Sequence, residues 1–195
     1  ENLKLALSDE QNFIFILLTK CQMSSNSADV PFHEIQRMLR DLSEIKEIKT
    51  LMKVAAQFED LKIVFDLKNK SVSKVDPMTS DSTMGYSYFN RGLLIVGRDG
   101  TYEERLATLA HELCHFVMFK IYQNRCEPFC KNVERKKLKF EQIVVNYRNL
   151  TRKEFEEHDK IIRLVFRYGK NVQLIEMIVR VPHILARYKN DPNKI

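Results

Sequence analysis

The sequence predicts an α+β fold in which helices outnumber the strands of a small sheet. Two runs rich in branched and aromatic residues, 61–67 and 93–96, have strand length and composition. Long stretches free of Gly and Pro on either side of them place apolar residues at helical spacing. Directly after the second run comes a segment, 101–122, that reads as a helix apolar on nearly every side, and such a helix belongs in an interior. With 195 residues the chain is long enough to bury one good core.

The elements follow in order. Residues 3–23 read as a helix, with Phe13, Ile14, Ile16, Leu17 and Leu18 closely grouped, and Ser24-Ser25-Asn26-Ser27 ends it. Pro31 suits the start of a second helix, where an amide hydrogen has no partner to lose, and Ile35, Met38, Leu39 and Leu42 mark its apolar stripe. A third helix is expected over 43–58. The first strand is Leu61-Lys62-Ile63-Val64-Phe65-Asp66-Leu67, and the polar residues 68–83 read as a loop. Within 86–98, Leu93-Leu94-Ile95-Val96 between two glycines forms the second strand, and Asp99-Gly100 is the turn after it. Thr101-Tyr102-Glu103-Glu104 then has the form of a capping box. Two further helices are expected over 133–150 and 151–168, and a last one from about 171, interrupted near Pro182. Residues 1–58 thus read as a helical support and 59–195 as the part that carries chemistry, the two able to form one compact domain.

Composition is that of a globular protein, 44% apolar and 30% charged, and no tract has the length of a membrane span. The net charge of +6 favours acidic partners, and basic residues cluster at Arg135-Lys136-Lys137-Leu138-Lys139. A solvated helix face explains that cluster better than a nucleic-acid patch, since no recognition motif accompanies it and Trp is absent. Four cysteines, Cys21, Cys114, Cys126 and Cys130, are too few for a disulfide framework. They are expected as reduced thiols in a cytoplasmic protein, with a local Cys126–Cys130 bridge as the alternative for a secreted one. Because Glu1 rather than Met opens the sequence and no signal-peptide pattern follows, the chain is expected to be part of a larger one.

Chemistry enters at His111-Glu112-Leu113-Cys114-His115. Residues four apart on a helix share one face, so both imidazoles can reach one metal ion, and zinc is the natural cofactor for such a pair. Glu112, one step round the helix, is placed to act as general base and acid. In so apolar a helix, two imidazoles and a carboxylate would be costly without partners. A pair of hydrogen-bonded core histidines is the competing account.

On these residues the sequence resembles the zincin metallopeptidases, whose signature is this motif on a buried helix behind a mixed sheet. By order of elements the resemblance spans about 61–188, and its specific part is the five motif residues and their flanks. It implies a zincin-like fold with a small twisted mixed sheet and a following glutamate helix, Zn2+ as cofactor, and a peptide or protein substrate hydrolysed by water activated with Glu112. The strand 93–96 would correspond to the edge strand to which an extended substrate adds. No third His follows at metzincin spacing, which favours a glutamate ligand of the gluzincin kind.

Three glutamates compete for that role. Glu176, isolated in Leu174-Ile175-Glu176-Met177-Ile178-Val179, must be neutral or meet a positive charge, which a zinc ion or an internal salt bridge with Arg180 would supply. Its surroundings resemble the glutamate helix of several zincins, although Val179 and Arg180 depart from the usual small and acidic residues. Glu134, nineteen positions after His115 as in aminopeptidase-type gluzincins, lies in what reads as an exposed first turn, and Glu141 is third. Glu176 is preferred. For the oxyanion that zincins stabilise with zinc plus a Tyr or His, Tyr86, Tyr88 and His183 are candidates, His183 first. The competing functions are a zincin-fold domain that serves a larger protein as a zinc-binding regulatory or interaction module, and a nucleic-acid-associated protease similar to SprT-like proteins.

Overall fold

The computed structural model describes residues 9–22, 31–66, 85–88, 92–97, 100–124, 170–191 and 193. The chain divides into two compact units, 1–117 with 182–195, and 118–181. The described residues form helices α1 (Asp9–Lys20), α2 (Phe32–Ser43), α3 (Lys46–Ala55), α4 (Tyr102–Asn124) and α5 (Lys170–Arg187), with strands β1 (Cys21–Gln22), β2 (Lys62–Asp66), β3 (Gly85–Tyr88) and β4 (Leu93–Gly97). They are helix-rich with one small sheet, an α+β arrangement.

The four strands form one mixed sheet in the order β1-β2-β4-β3, with β1, β2 and β4 parallel and β3 antiparallel to β4. Burial alternates along the central strands: Ile63, Phe65, Leu94 and Val96 are buried and the residues between them half-exposed or exposed. Register pairs Ile63 with Leu94 and Phe65 with Val96, so one apolar face is continuous across β2 and β4. That face shares a core with Leu39, Leu42 and Met52 of the N-terminal helices and with Leu106, Leu109, Leu113 and Phe116 of α4. The first 58 residues therefore contribute to the core against which the motif helix is buried.

Two strands differ from the sequence reading. The first helix stops at Lys20, and Cys21–Gln22 turn to pair with Ile63 and Val64; a two-residue strand carries no periodicity by which to find it. Residues 93–96 are not an edge among the described strands, because Gly85–Tyr88 form a hairpin partner beyond them. The hairpin closes through Gly92 at φ 62°, where a Cβ would lie 2.3 Å from the Asp60 carbonyl oxygen, so glycine is required there twice over. The expected loop 68–83, the helices 133–150 and 151–168, the basic cluster at 135–139, and Cys126 and Cys130 lie outside the described residues.

The capping box forms as the sequence implies. The Thr101 amide donates to Glu104 Oε2 at 2.9 Å, and the Glu104 amide donates to Thr101 Oγ1 at 3.2 Å. The first turn of α4 is then fastened to α2. Tyr102 Oη donates to Asp41 Oδ2 at 2.6 Å, Arg105 pairs with Glu34 through Nε at 3.2 Å and also through Nη2, and the Arg37 guanidinium stacks 4.4 Å above the Tyr102 ring. Lys189, beyond α5, reaches Asp41 at 3.4 Å, and Arg187 reaches Glu104 at 3.9 Å.

Several of these groups hold their protons more tightly when folded. Burial pushes the Cys21 thiol up to about 12 from 9.0. Burial, then the bond to Asp41, raises the Tyr102 phenol. Lys189 is lowered by burial, but Glu44 and Asp41 outweigh this and raise it above 10.5. A raised folded value stabilises fully below the ordinary value and is lost as pH rises through the folded one. Unfolding free energy should therefore fall from about pH 9 upward; urea midpoints at about pH 8 and about pH 10.5 measure it, and an unchanged midpoint would contradict the assignment.

Candidate metal centre

The motif lies in the middle of α4, and the helix repeat puts His111 and His115 on one side of it. Their ring centroids are 4.8 Å apart, inclined at 64°. His111 and Glu112 are buried, with 7% and 6% of their surfaces exposed, and His115 is half-buried. The apolar residues of the same helix explain the depth: Ala107, Leu109, Ala110, Leu113 and Phe116 are fully buried, and they carry the polar ones in with them.

Glu176 is the third member. One ligand-type atom from each of His111, His115 and Glu176 lies within 4.8 Å of the others, and the carboxylate is buried. Two imidazoles and one carboxylate form a donor set that suits zinc and other first-row divalent ions. A single ion at 2.0–2.2 Å from each donor needs mutual separations of roughly 3–4 Å, so closing the set takes side-chain adjustments of about an ångström. Glu134 and Glu141, the other candidates, lie outside the described residues.

Arg180 occupies the same face of α5 one turn beyond Glu176. Its Nη2 donates to Glu176 Oε2 at 3.4 Å, a long contact, while its buried Nε has no hydrogen-bond partner among the described residues. The internal salt bridge considered as an alternative to metal ligation therefore exists, but among the described residues it leaves the Arg180 Nε unsatisfied. A carboxylate has a second oxygen, so the ion pair and a metal contact are compatible.

His183, seven residues after Glu176, also meets the motif. Its Nδ1 lies 3.3 Å from Nδ1 of His111, the rings 5.3 Å apart at centroids and inclined at 78°. Tyr86 and Tyr88 contribute backbone to β3, and their side chains lie outside the described set. Cys114, between Leu113 and His115, is buried and its thiol is pushed up to about 12 by that burial, so it packs as a neutral core residue.

One residue that shapes the site went unnoticed in the sequence. Gly85 begins β3 opposite Val96, and a Cβ there would stand 2.5 Å from Thr108 Cγ2, 3.0 Å from the Ile95 carbonyl oxygen and 3.1 Å from Glu112 Cγ. Thr108 cannot easily yield, since its hydroxyl donates to the Glu104 carbonyl at 2.8 Å and so fixes its rotamer. The strand is thus pressed against α4 beside Glu112. A glycine opening an aromatic strand is the available signal for such close approach.

Comparison with family models finds no match, and searches of curated proteins and of solved structures find none either. The case for a metal site rests on the geometry of His111, His115 and Glu176.

Gly85→Ala should destabilise the protein by about 1–3 kcal/mol, the usual cost of overpacking a filled site. Urea unfolding measures this; a loss below about 0.5 kcal/mol would show that β3 stands off from α4 more than the contacts indicate.

Proposed function

We propose that this protein is a zinc-dependent peptide hydrolase of zincin-like fold, with His111, His115 and Glu176 as metal ligands and Glu112 as general base. The observation that carries the reading is the convergence of two buried side chains, His111 and Glu176, and the half-buried His115, with the histidines on the helix that also presents Glu112. A zinc ion held by this set supplies Lewis acidity, acidifying water and polarising a carbonyl. Glu112 takes the proton from the attacking water and returns it to the departing amine, which leaves the base ready for another cycle. Burial favours this exchange, because a carboxylate with few competing water contacts interacts more strongly with the group it serves. The buried apolar residues of α4 hold the helix that carries both imidazoles in the core, which limits the freedom of those rings to leave the metal.

The remaining proposed roles follow from the same site. The substrate is a peptide or protein, recognised in extended form along an edge of the sheet; of the two edge strands among those described, β1 and β3, it is β3 that begins beside Glu112. His183 is proposed to stabilise the oxyanion. With Nδ1 directed at His111, the atom through which it could donate is Nε2. No helix among the described residues is long and apolar enough to cross a membrane.

Two substitutions test the ligand and the base separately. Glu112→Gln should retain one bound zinc per chain and lose peptide hydrolysis by at least about a hundredfold, because the amide cannot accept the proton. Elemental analysis with a quenched-fluorescent peptide assay reads both quantities, and hydrolysis at the original rate would refute the mechanism. Glu176→Gln should weaken zinc binding, seen as loss of metal to a competing chelator. Unaltered retention would assign Glu176 to the Arg180 ion pair alone and reopen the search for a third ligand.

A further inference from the structure

The contact between His183 and His111 carries an inference about how the first ligand is held, and it rests on the metal-centre reading above. Two ring nitrogens 3.3 Å apart can share a hydrogen only if one carries it and the other presents a lone pair. His111 has two nitrogens. A neutral imidazole that gives one lone pair to a metal carries its proton on the other nitrogen, and that N–H needs an acceptor. Nδ1 of His111 is the atom that faces His183, so the nitrogen left for the metal is Nε2.

We infer that His183 is a positioning residue: its Nδ1 accepts the hydrogen of His111 Nδ1, which selects the tautomer of His111 that presents Nε2 to the zinc ion and fixes the angle of that ring. The steep inclination of the two rings, 78°, lets the N–H of one point along the lone pair of the other without stacking them. His183 is half-buried, and its helix is anchored nearby by the buried Ala186 and by the Arg187–Glu104 pair, so the acceptor comes from a secured element. Glu176, Arg180 and His183 follow one another at intervals of four and three, the spacing of a single helix face. One stripe of α5 thereby provides the carboxylate ligand and, two turns later, the support for an imidazole ligand. Accepting through Nδ1 also sets the proton of His183 on Nε2, the tautomer that the oxyanion role requires.

The substitutions that decide this differ in where they place an acceptor. Asn carries its amide oxygen near the position of histidine Nδ1, Gln carries it near Nε2, and Phe keeps the ring shape with no acceptor. Zinc dissociation constants, measured by competition with a chromophoric chelator, should rise about 10- to 100-fold in His183→Phe and His183→Gln, the usual loss when such a support is removed, and return to within a few fold of the original in His183→Asn. Circular dichroism and urea midpoints verify that each variant is folded, and the Asn/Gln comparison decides the matter should the Phe variant not fold. Equal zinc affinity in the Asn and Gln variants would overturn the positioning role while leaving the metal centre intact. Absence of zinc binding by the unaltered protein would instead overturn the metal centre, and the role of His183 with it.

Discussion

Burial of α4 is the constraint on which the rest of the structure depends. A helix whose residues at 106, 107, 109, 110, 113, 116 and 117 are all buried has nearly its whole circumference committed to the core. His111 and Glu112 lie on that helix between the apolar residues, so they cannot be placed in water without drawing apolar surface out with them. Polar groups taken to such depth must be answered by other polar groups. A second helix, α5, brings the imidazole of His183 to within 3.3 Å of His111 and a carboxylate, Glu176, to within 4.8 Å of ligand atoms of His111 and His115.

A buried helix must also be held in register, since a slide of one residue would turn the motif by about 100°. The fastening is concentrated at its first turn. Thr101 and Glu104 cap each other's amides, Tyr102 and Arg105 bind acids of α2, and Arg187 meets Glu104 from the end of α5. Gly85 then sets how near the sheet can come, because any side chain at that position would collide with Thr108 and Glu112. The N-terminal helices provide the acids to which α4 is bound, so they help position the site without contributing a reactive group.

Much of this was legible in the sequence because it depends on local rules. The capping box, the stripe Ile35-Met38-Leu39-Leu42, the strands at 62–66 and 93–97 and the i, i+4 histidines all follow from spacing along one element. What escaped depends on pairing between elements. β1 is two residues that become a strand only because β2 lies alongside, and the edge position passes from β4 to β3 through a hairpin whose turn glycine is explained by Asp60. Glu176 is isolated among apolar residues, a position that calls for a cation, and its carboxylate falls within reach of both histidines, whereas Glu134 lies outside the described residues. The contact between His183 and His111 joins residues 72 positions apart, and no local pattern announces it.

Glu176 has two claims on its charge, and their coexistence is instructive. With Arg180 alone, a buried ion pair at 3.4 Å recovers little of the cost of removing both groups from water, and among the described residues the Nε of Arg180 has no partner to offset it. Such a pair is a poor stabilising device; a hydrophobic pair of similar size would serve the fold as well or better. Arginine suits another task. Its charge is permanent and delocalised over a plane, so it can hold one carboxylate oxygen in place while the other is given to a second cation. A carboxylate anchored in this way is already oriented before metal arrives, and less ordering entropy is then lost when it binds. Read as part of a metal centre, the long and incomplete ion pair has a physical purpose that it lacks as a contribution to stability.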